Sequence, residues 1–70
     1  MELDEVRAAV AAALEVTPGE IGYDDDLLDH GLDSVRIMSL VESWRAGGRD
    51  VAFADLAEEP TVRAWAALLA

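Results

Sequence analysis

The sequence predicts an all-α fold, a four-helix bundle with a long first loop and a short third helix. Apolar residues recur at spacings of three and four in successive segments, which is the period of one helix face. No segment alternates apolar and polar residues as a half-buried strand would. Glycine and proline fall between the periodic segments or at their ends. These observations together favour four helices around one core.

The first helix is predicted from about Leu3 to Glu15. Acidic residues at its start, Glu2, Asp4 and Glu5, complement the positive end of the helix dipole. The alanine-rich run from Ala8 to Ala13 favours a helix because alanine loses no side-chain entropy there. The expected apolar face is formed by Leu3, Val6, Val10, Ala13 and Leu14.

The segment from Val16 to Asp33 is predicted to be a long connection. It contains Pro18, three glycines and the acidic run from Asp24 to Asp26, none of which favours a helix or a strand. A connection of this length is uncommon in a compact domain unless it is functional. Four apolar residues are expected to anchor it on the core: Ile21, Leu27, Leu28 and Leu32.

Three further helices follow this connection. The second runs from Ser34 to about Ala46 and is ended by Gly47 and Gly48, which suit a left-handed cap. The stretch from Val51 to Glu59 predicts a short third helix of one or two turns. Pro60 lacks an amide donor and is therefore expected in the first turn of the last helix. The apolar face of that helix comprises Val62, Trp65, Leu68 and Leu69.

Length and composition restrict the class of protein. A chain of 70 residues forms one domain, residues 1–70, and at this size only about 60% of the unfolded surface can be buried. The absence of cysteine excludes disulfides and thiolate metal sites. Fifteen acidic residues against five basic ones give a net charge of −10. This charge disfavours nucleic acid and anionic membranes and favours either basic partners or simple solubility.

No apolar run is long enough to span a membrane, and the N-terminus is acidic where a secretion signal would be basic. We therefore expect a soluble, cytoplasmic protein.

The second helix carries two apolar faces. Residues placed about 100° apart put one set on a common stripe that faces the core. Val35 and Met38 fall on the other side, close to Ser34 and Glu42, and are expected to be exposed. Exposed apolar residues with charged neighbours often mark interaction surfaces. The core stripe comprises Ile37, Leu40, Val41 and Trp44.

Ser34 admits three interpretations. As a helix N-cap, its hydroxyl would accept an amide hydrogen bond, although Ile37 stands where a capping box needs Glu or Gln. As a nucleophile it would use His30 as base and Asp29 or Asp33 as orienting group. These residues are nearly consecutive on one loop, and the flanks lack the G-x-S-x-G pattern, so an enzyme is disfavoured. As a modification site, it could carry a phosphodiester whose charge the helix N-terminus stabilises.

The acidic run Asp24 to Asp26, with Asp29, could in principle hold calcium. It lacks the alternate ligand positions, the glycine and the final glutamate of an EF-hand loop. A solvated acidic run is the favoured interpretation, and no metal is expected.

The stretch "GLDSVRIMSL", Gly31 to Leu40, resembles the attachment motif of phosphopantetheine carrier proteins. The resemblance extends over nearly the whole chain and implies the four-helix carrier-protein bundle. In detail it is most similar to aryl carrier domains of siderophore-type nonribosomal peptide synthesis. The stretches that carry this likeness are "DDDLLDHGLDSVRIM", Asp24 to Met38; "SWR", Ser43 to Arg45; and "FADLAEEPTVRAW", Phe53 to Trp65.

The resemblance implies a non-catalytic, monomeric carrier in which Ser34, preceded by Asp33, bears 4′-phosphopantetheine. A phosphopantetheinyl transferase would attach the arm, and an aryl-adenylating ligase would load 2,3-dihydroxybenzoate or salicylate as a thioester. A condensation or cyclisation domain would then accept the aryl group. The implied partner surface comprises Val35, Arg36, Met38, Phe53 and Ala57.

Several alternatives remain open at this stage. Phe53 could belong to the core, because an aromatic residue in a small domain is usually buried, and Arg36 could be a solvated side chain. The chain could be free-standing or part of a larger synthetase. It could also carry another peptidyl or acyl substrate, or be an unmodified acidic adaptor.

Overall fold

Four α-helices and two short 3₁₀ helices make up the regular structure of the computed structural model, which describes residues 1–70. The α-helices are α1 (Leu3–Leu14), α2 (Ser34–Ala46), α3 (Phe53–Glu58) and α4 (Val62–Leu68). The 3₁₀ helices, Pro18–Glu20 and Leu27–His30, lie within the long connection between α1 and α2. There is no strand, so the predicted all-α bundle is confirmed.

Local hydrogen bonds fix the helix ends close to the predicted positions. At the start of α1 the Glu5 carboxylate accepts from the amide of Glu2 at 3.1 Å. At the end of α2 it is Gly48 that adopts the left-handed conformation, with φ +92°, while Gly47 does not. A glycine suits this position because a Cβ there would be strained.

Helix α4 begins later than predicted. Thr61 is its N-cap, and its side chain accepts a hydrogen bond from the amide of Ala64 at 3.1 Å. Pro60 therefore lies before the helix and not in its first turn. Its carbonyl accepts from the amide of Leu27 at 2.8 Å, which attaches the long connection to the entrance of α4.

The core contains only apolar side chains. Trp65 is fully buried and meets Trp44 edge to face, with ring centroids 6.0 Å apart and planes at 82°. Its indole N–H donates to the carbonyl of Leu56 at 2.9 Å, so its one polar group is satisfied. The 16 buried residues are Val6, Val10, Ala11, Ile21, Leu27, Leu32, Ile37, Leu40, Val41, Trp44, Val51, Leu56, Val62, Trp65, Ala66 and Leu69.

Two residues that were predicted to face the core point away from it: one anchor of the long connection and one residue of the apolar face of the last helix. Leu28 is 51% exposed because the 3₁₀ helix turns Leu27 inward and its neighbour outward. Leu68 is 47% exposed, and Ala66 is buried in its place. In α4 the positions i, i+3, i+4 and i+7 from Val62 face inward, and Leu68 falls outside this set. The indole hydrogen bond of Trp65 to Leu56 is consistent with this rotation of the helix.

The helices are short. The longest, α2, has 13 residues, and none combines the length and apolar character that crossing a membrane requires.

Candidate functional site

Ser34 is the first residue of α2, and its side chain is exposed. The N-cap is Asp33, one residue earlier than the sequence suggests, and its Oδ1 accepts from the amide of Arg36 at 2.9 Å. Of the three interpretations of Ser34, the N-cap is therefore wrong, whereas the predicted start of the second helix at Ser34 is confirmed. Because Asp33 supplies the cap, the hydroxyl of Ser34 is left without a hydrogen-bond partner in the chain.

The side chain of Arg36 links the start of α2 to the end of α1. Its Nη1 donates to Oδ2 of Asp33 at 3.0 Å, and its Nε donates to the carbonyl of Ala13 at 3.2 Å. The pKa of the Asp33 carboxyl is held below its ordinary value by the hydrogen bond from the Arg36 amide and by the nearby guanidinium charge. Asp33 thus stays ionised and keeps its capping role at neutral pH.

A groove of about 510 Å³ opens beside Ser34. The exposed fractions of Val35 and Met38 are 77% and 43%, so the predicted off-core position of both side chains is confirmed. Phe53 of α3 is half-buried, packing against the core with one side and lining the groove with the other. The six residues of this Ser34 groove are Ser34, Val35, Met38, Ser39, Glu42 and Phe53.

Ala57, the remaining residue of the expected partner surface, is exposed on α3 but does not line the groove. It lies four residues after Phe53, one turn further along the same side of that helix. The groove and Ala57 together form a continuous stripe across α2 and α3.

The structure does not bring Ser34 and His30 together as the nucleophile and base considered from the sequence. Nε2 of His30 is bonded to Oδ2 of Asp25 at 2.9 Å, not to the Ser34 hydroxyl. Asp33, one candidate orienting group, is occupied by Arg36. His30 and a backbone amide hold the pKa of the Asp25 carboxyl below its ordinary value.

The three aspartates of the acidic run make three separate contacts. Asp24 forms a two-pronged ion pair with Arg63, with Nε to Oδ1 at 2.7 Å and Nη2 to Oδ2 at 3.2 Å. Asp25 binds His30, and Asp26 caps the second 3₁₀ helix by accepting from the amide of Leu28 at 2.9 Å. No group of three or more His, Asp or Glu side chains is arranged to hold a metal ion.

The aspartates of this run are exposed, as the interpretation of a solvated run predicts, but their contacts were not predicted from the sequence. The only local signal was the turn-forming pattern of Asp followed two or three residues later by a free amide. The pairing of Asp24 with Arg63 spans 39 residues, and spacing alone does not reveal it.

The start of α2 suits a negatively charged group that is covalently attached to Ser34. Amides of the first helical turn lack carbonyl partners within the helix, and the dipole is positive at this end. The free amides and the helix dipole would both stabilise the negative charge of a phosphodiester on Oγ of Ser34, which would remain in solvent. The exposed, unpartnered hydroxyl and the adjacent apolar groove suit a charged arm with an organic end group.

Comparison with known proteins identifies the family. The family model described as "Phosphopantetheine attachment site" matches residues 4–69. The chain is 52% identical over 66 residues to the isochorismatase of Bacillus subtilis (strain 168), covering 94% of this chain and 21% of that protein. It is 48% identical over 64 residues to the phenyloxazoline synthase MbtB of Mycobacterium sp. (strain MCS), covering 91% and 6% respectively.

A shorter relative is covered over most of its length. The acyl carrier protein ScoB of Streptomyces coeruleorubidus is 42% identical over 69 residues, which are 99% of this chain and 81% of ScoB. By contrast, the chain spans about a fifth or less of the isochorismatase and of MbtB. No solved structure gives a significant match. The chain belongs to the phosphopantetheine attachment-site family, a family of carrier domains that bear 4′-phosphopantetheine.

Proposed function

We propose that this chain is an aryl carrier domain that bears 4′-phosphopantetheine on Ser34. The observation that carries the assignment is the exposed Ser34 hydroxyl, left without a partner because Asp33 caps the helix. When attached, the group supplies a terminal thiol that holds an acyl group as a thioester. The domain itself catalyses nothing and presents this thioester to partner enzymes.

Attachment requires a phosphopantetheinyl transferase with coenzyme A as donor. The Ser34 Oγ forms a bond to the phosphorus of the pantetheine phosphate, the pyrophosphate bond of coenzyme A breaks, and 3′,5′-ADP leaves. The hydroxyl proton passes to a base of the transferase. In this step Asp33 fixes the first turn of α2 so that Ser34 stays exposed, and the helix N-terminus stabilises the diester charge.

The aryl substrate class rests on similarity. The stretch "DDDLLDHGLDSVRIM" resembles aryl carriers, and the MbtB relative is named a phenyloxazoline synthase, a product with a phenyl ring. We infer that an aryl-adenylating ligase loads an aryl acid such as 2,3-dihydroxybenzoate or salicylate. A condensation or cyclisation domain then accepts the aryl group in siderophore-type nonribosomal peptide synthesis.

The proposed partner surface is the stripe across α2 and α3. Val35, Met38 and Phe53 supply apolar contact in the Ser34 groove, and Ala57 extends it along α3. Arg36 supports the surface from its edge, because its guanidinium already binds Asp33 and Ala13. A small apolar patch in an acidic field suits fast, weak and sequential binding.

A second candidate is a carrier for a different acyl or peptidyl substrate. The similarity to the acyl carrier protein ScoB over 81% of that protein's length favours this alternative. Loading assays across a panel of aryl, aliphatic and amino acids, each with an adenylating ligase that activates it, separate the two substrate classes.

Intact-protein mass spectrometry tests the attachment. After incubation with coenzyme A, magnesium and a broad-specificity transferase, the chain is expected to gain one phosphopantetheine. Ser34→Ala is expected to abolish the gain, and it should fold normally because Asp33 provides the cap. Ser39→Ala is the matched control, since Ser39 is an exposed serine of the same groove.

Two outcomes contradict the proposal. A folded wild-type chain that gains nothing would leave the acidic adaptor as the better interpretation. A gain that survives in Ser34→Ala but is lost in Ser39→Ala would move the attachment to the other serine. Circular dichroism of each variant confirms that loss of modification does not reflect loss of fold.

A further inference from the structure

A second groove lies between α3 and α4, on the side of α3 away from Ser34. Its volume is about 500 Å³. Two alanines form its floor, and Leu68, a large apolar side chain that is 47% exposed, stands beside them. We name it the α3–α4 groove, and its six residues are Asp55, Glu58, Glu59, Ala64, Ala67 and Leu68.

The groove shares no residue with the Ser34 groove. In α3, successive residues turn by about 100°, so Asp55 and Glu58 lie roughly 140° to 200° around the helix axis from Phe53. One edge of this six-residue helix therefore serves the Ser34 groove, and the opposite edge serves the α3–α4 groove. The hydrogen bond between Trp65 and the carbonyl of Leu56 holds the two helices that form its walls.

The charge of the groove has a single sign. Half of its lining residues are acidic, and none is basic. The nearest arginine along α4, Arg63, binds Asp24 of the long connection. The side chains of Glu58 and Glu59 form no ion pair within the chain. The three arginine–aspartate pairs and the contact of His30 with Asp25 all lie elsewhere.

We propose that the α3–α4 groove is a second docking surface, which binds a cationic amphipathic peptide segment of a partner protein. An apolar side chain of the segment would lie over Ala64 and Ala67 against Leu68, and flanking arginines or lysines would meet the acidic rim. An anionic segment would be repelled by the acidic rim, and a purely polar segment would lack the apolar contact. This inference goes beyond the attachment of the arm and does not rest on it.

A designed peptide tests the proposal. The probe is a labelled amphipathic helix of about 14 residues, close to the minimum length for isolated helices, built from leucine and arginine. The control probe has glutamate in place of arginine. Binding is followed by fluorescence anisotropy, and the site is mapped by amide chemical-shift changes. We expect binding of the cationic peptide only, with the largest changes at Glu58, Ala67 and Leu68.

Matched variants separate the groove from general attraction to an acidic protein. Glu58→Gln with Glu59→Gln should weaken binding about threefold to tenfold more than Asp29→Asn with Asp50→Asn, which removes the same charge elsewhere. Leu68→Ser should weaken binding more than Met38→Ser, a residue of similar exposure in the Ser34 groove.

The opposite results overturn the inference. Equal losses in the two double variants, or shift changes centred on Ser34 and Met38, would show that the peptide follows net charge or uses the other groove. The Ser34→Ala variant should bind the peptide like the wild-type chain. Failure of the attachment test therefore leaves this test unaffected, and failure here leaves attachment unaffected.

Discussion

At the start of α2, two adjacent residues divide two tasks between them. Asp33 accepts the amide hydrogen bond that begins the helix and also binds the guanidinium of Arg36. Ser34, one residue later, has helical backbone geometry and an unengaged hydroxyl. Had the serine been the cap, its oxygen would have been occupied by an amide, and modification would have required breaking that bond. The order Asp-Ser leaves the hydroxyl available without weakening the helix start.

Met38 is expected to contribute more to partner binding than to the stability of the fold. Since its side chain is 43% exposed, Met38→Ala should lower the free energy of unfolding by less than about 1 kcal/mol. It should slow transfer of the loaded aryl group to a condensation or cyclisation domain by about fivefold or more, as truncation of a significant interface residue does. Chemical denaturation and single-turnover transfer from pre-loaded protein measure the two effects.

The control for this substitution is Leu56→Ala. Leu56 is fully buried, so its truncation should cost about 2 to 5 kcal/mol. If Met38→Ala destabilised the chain by as much, Met38 would be a core residue. If transfer remained as fast as in the wild-type protein, the Ser34 groove would not be the surface that these domains use.

At the scale of elements, the long connection is held by contacts at both ends of the chain. Tyr23 donates to the Asp4 carboxylate at 2.5 Å, and the guanidinium of Arg7 lies 4.7 Å from the centre of its ring. The carbonyl of Tyr23 accepts from the amide of Arg63 at 3.0 Å, and the ion pair of Asp24 with Arg63 adds to this contact. The connection thereby joins α1 to α4 while it delivers Asp33 and Ser34 to the start of α2.

The ion pair between Asp24 and Arg63 predicts a specific pH dependence. The hydrogen bonds from Arg63 lower the pKa of the Asp24 carboxyl in the folded chain. Its stabilising contribution is therefore fully present above the unfolded-state pKa of about 4 and is lost as pH falls through the lower folded-state value. Asp24→Asn should be less stable than the wild-type chain at pH 7, and this difference should shrink as pH falls below about 4.

Thermal unfolding from neutral to acidic pH measures that difference. Asp29→Asn is the control, because it removes one charge from the same loop where the carboxylate has no ion-pair partner. A difference between Asp24→Asn and the wild-type chain that stayed constant with pH would show that the pair contributes nothing through its charge.

The end of α2 and its buried face were predictable because their causes are local. Gly47 and Gly48 end α2, and the apolar period from Ile37 to Trp44 defines its buried face, both of which are visible in the sequence. The exposure of Leu28 and Leu68 was not predictable, since each depends on how an element is rotated by contacts distant in sequence. The same holds for Asp24 and its partner 39 residues away.

Some features of the candidate site were predictable for similar reasons. The D-S pair and the off-core position of Val35 and Met38 follow from short-range spacing. The choice of Asp33 over Ser34 as cap depends on backbone angles at the helix entrance, which composition does not determine. The dual position of Phe53 depends on how α3 packs on α2, a tertiary relation.

Across the whole molecule, the arginine side chains contact other groups of the same chain. Arg7 and Arg63 stack near Tyr23, and Arg36 binds Asp33. Arg45 donates to the carbonyl of Val51, and Arg49 to the carbonyl of Leu69. All five positive side chains are thus held within the chain, and the surface that a partner meets is dominated by carboxylates. Such a surface attracts basic partners and repels other copies of itself.

The same excess of negative charge should limit stability at low ionic strength. At about 0.01 M salt the Debye length is roughly 30 Å, and at 0.1 M it is about 10 Å. The molecule measures 28 × 23 × 20 Å, so at the lower salt concentration its carboxylates repel one another across the whole protein. We expect the free energy of unfolding at pH 7 to rise by on the order of 1 kcal/mol over this range of sodium chloride.

Urea denaturation at the two salt concentrations measures this rise. The double variant Asp29→Asn with Asp50→Asn should show a smaller rise, because removing two carboxylates changes the net charge from −10 to −8. The three arginine–aspartate ion pairs act in the opposite direction, since salt weakens attraction as well as repulsion. With fifteen acidic residues against five arginines, repulsive pairs outnumber attractive ones. A stability that fell with added salt would mean that the ion pairs around Tyr23 and Asp33 outweigh the repulsion among all the other carboxylates.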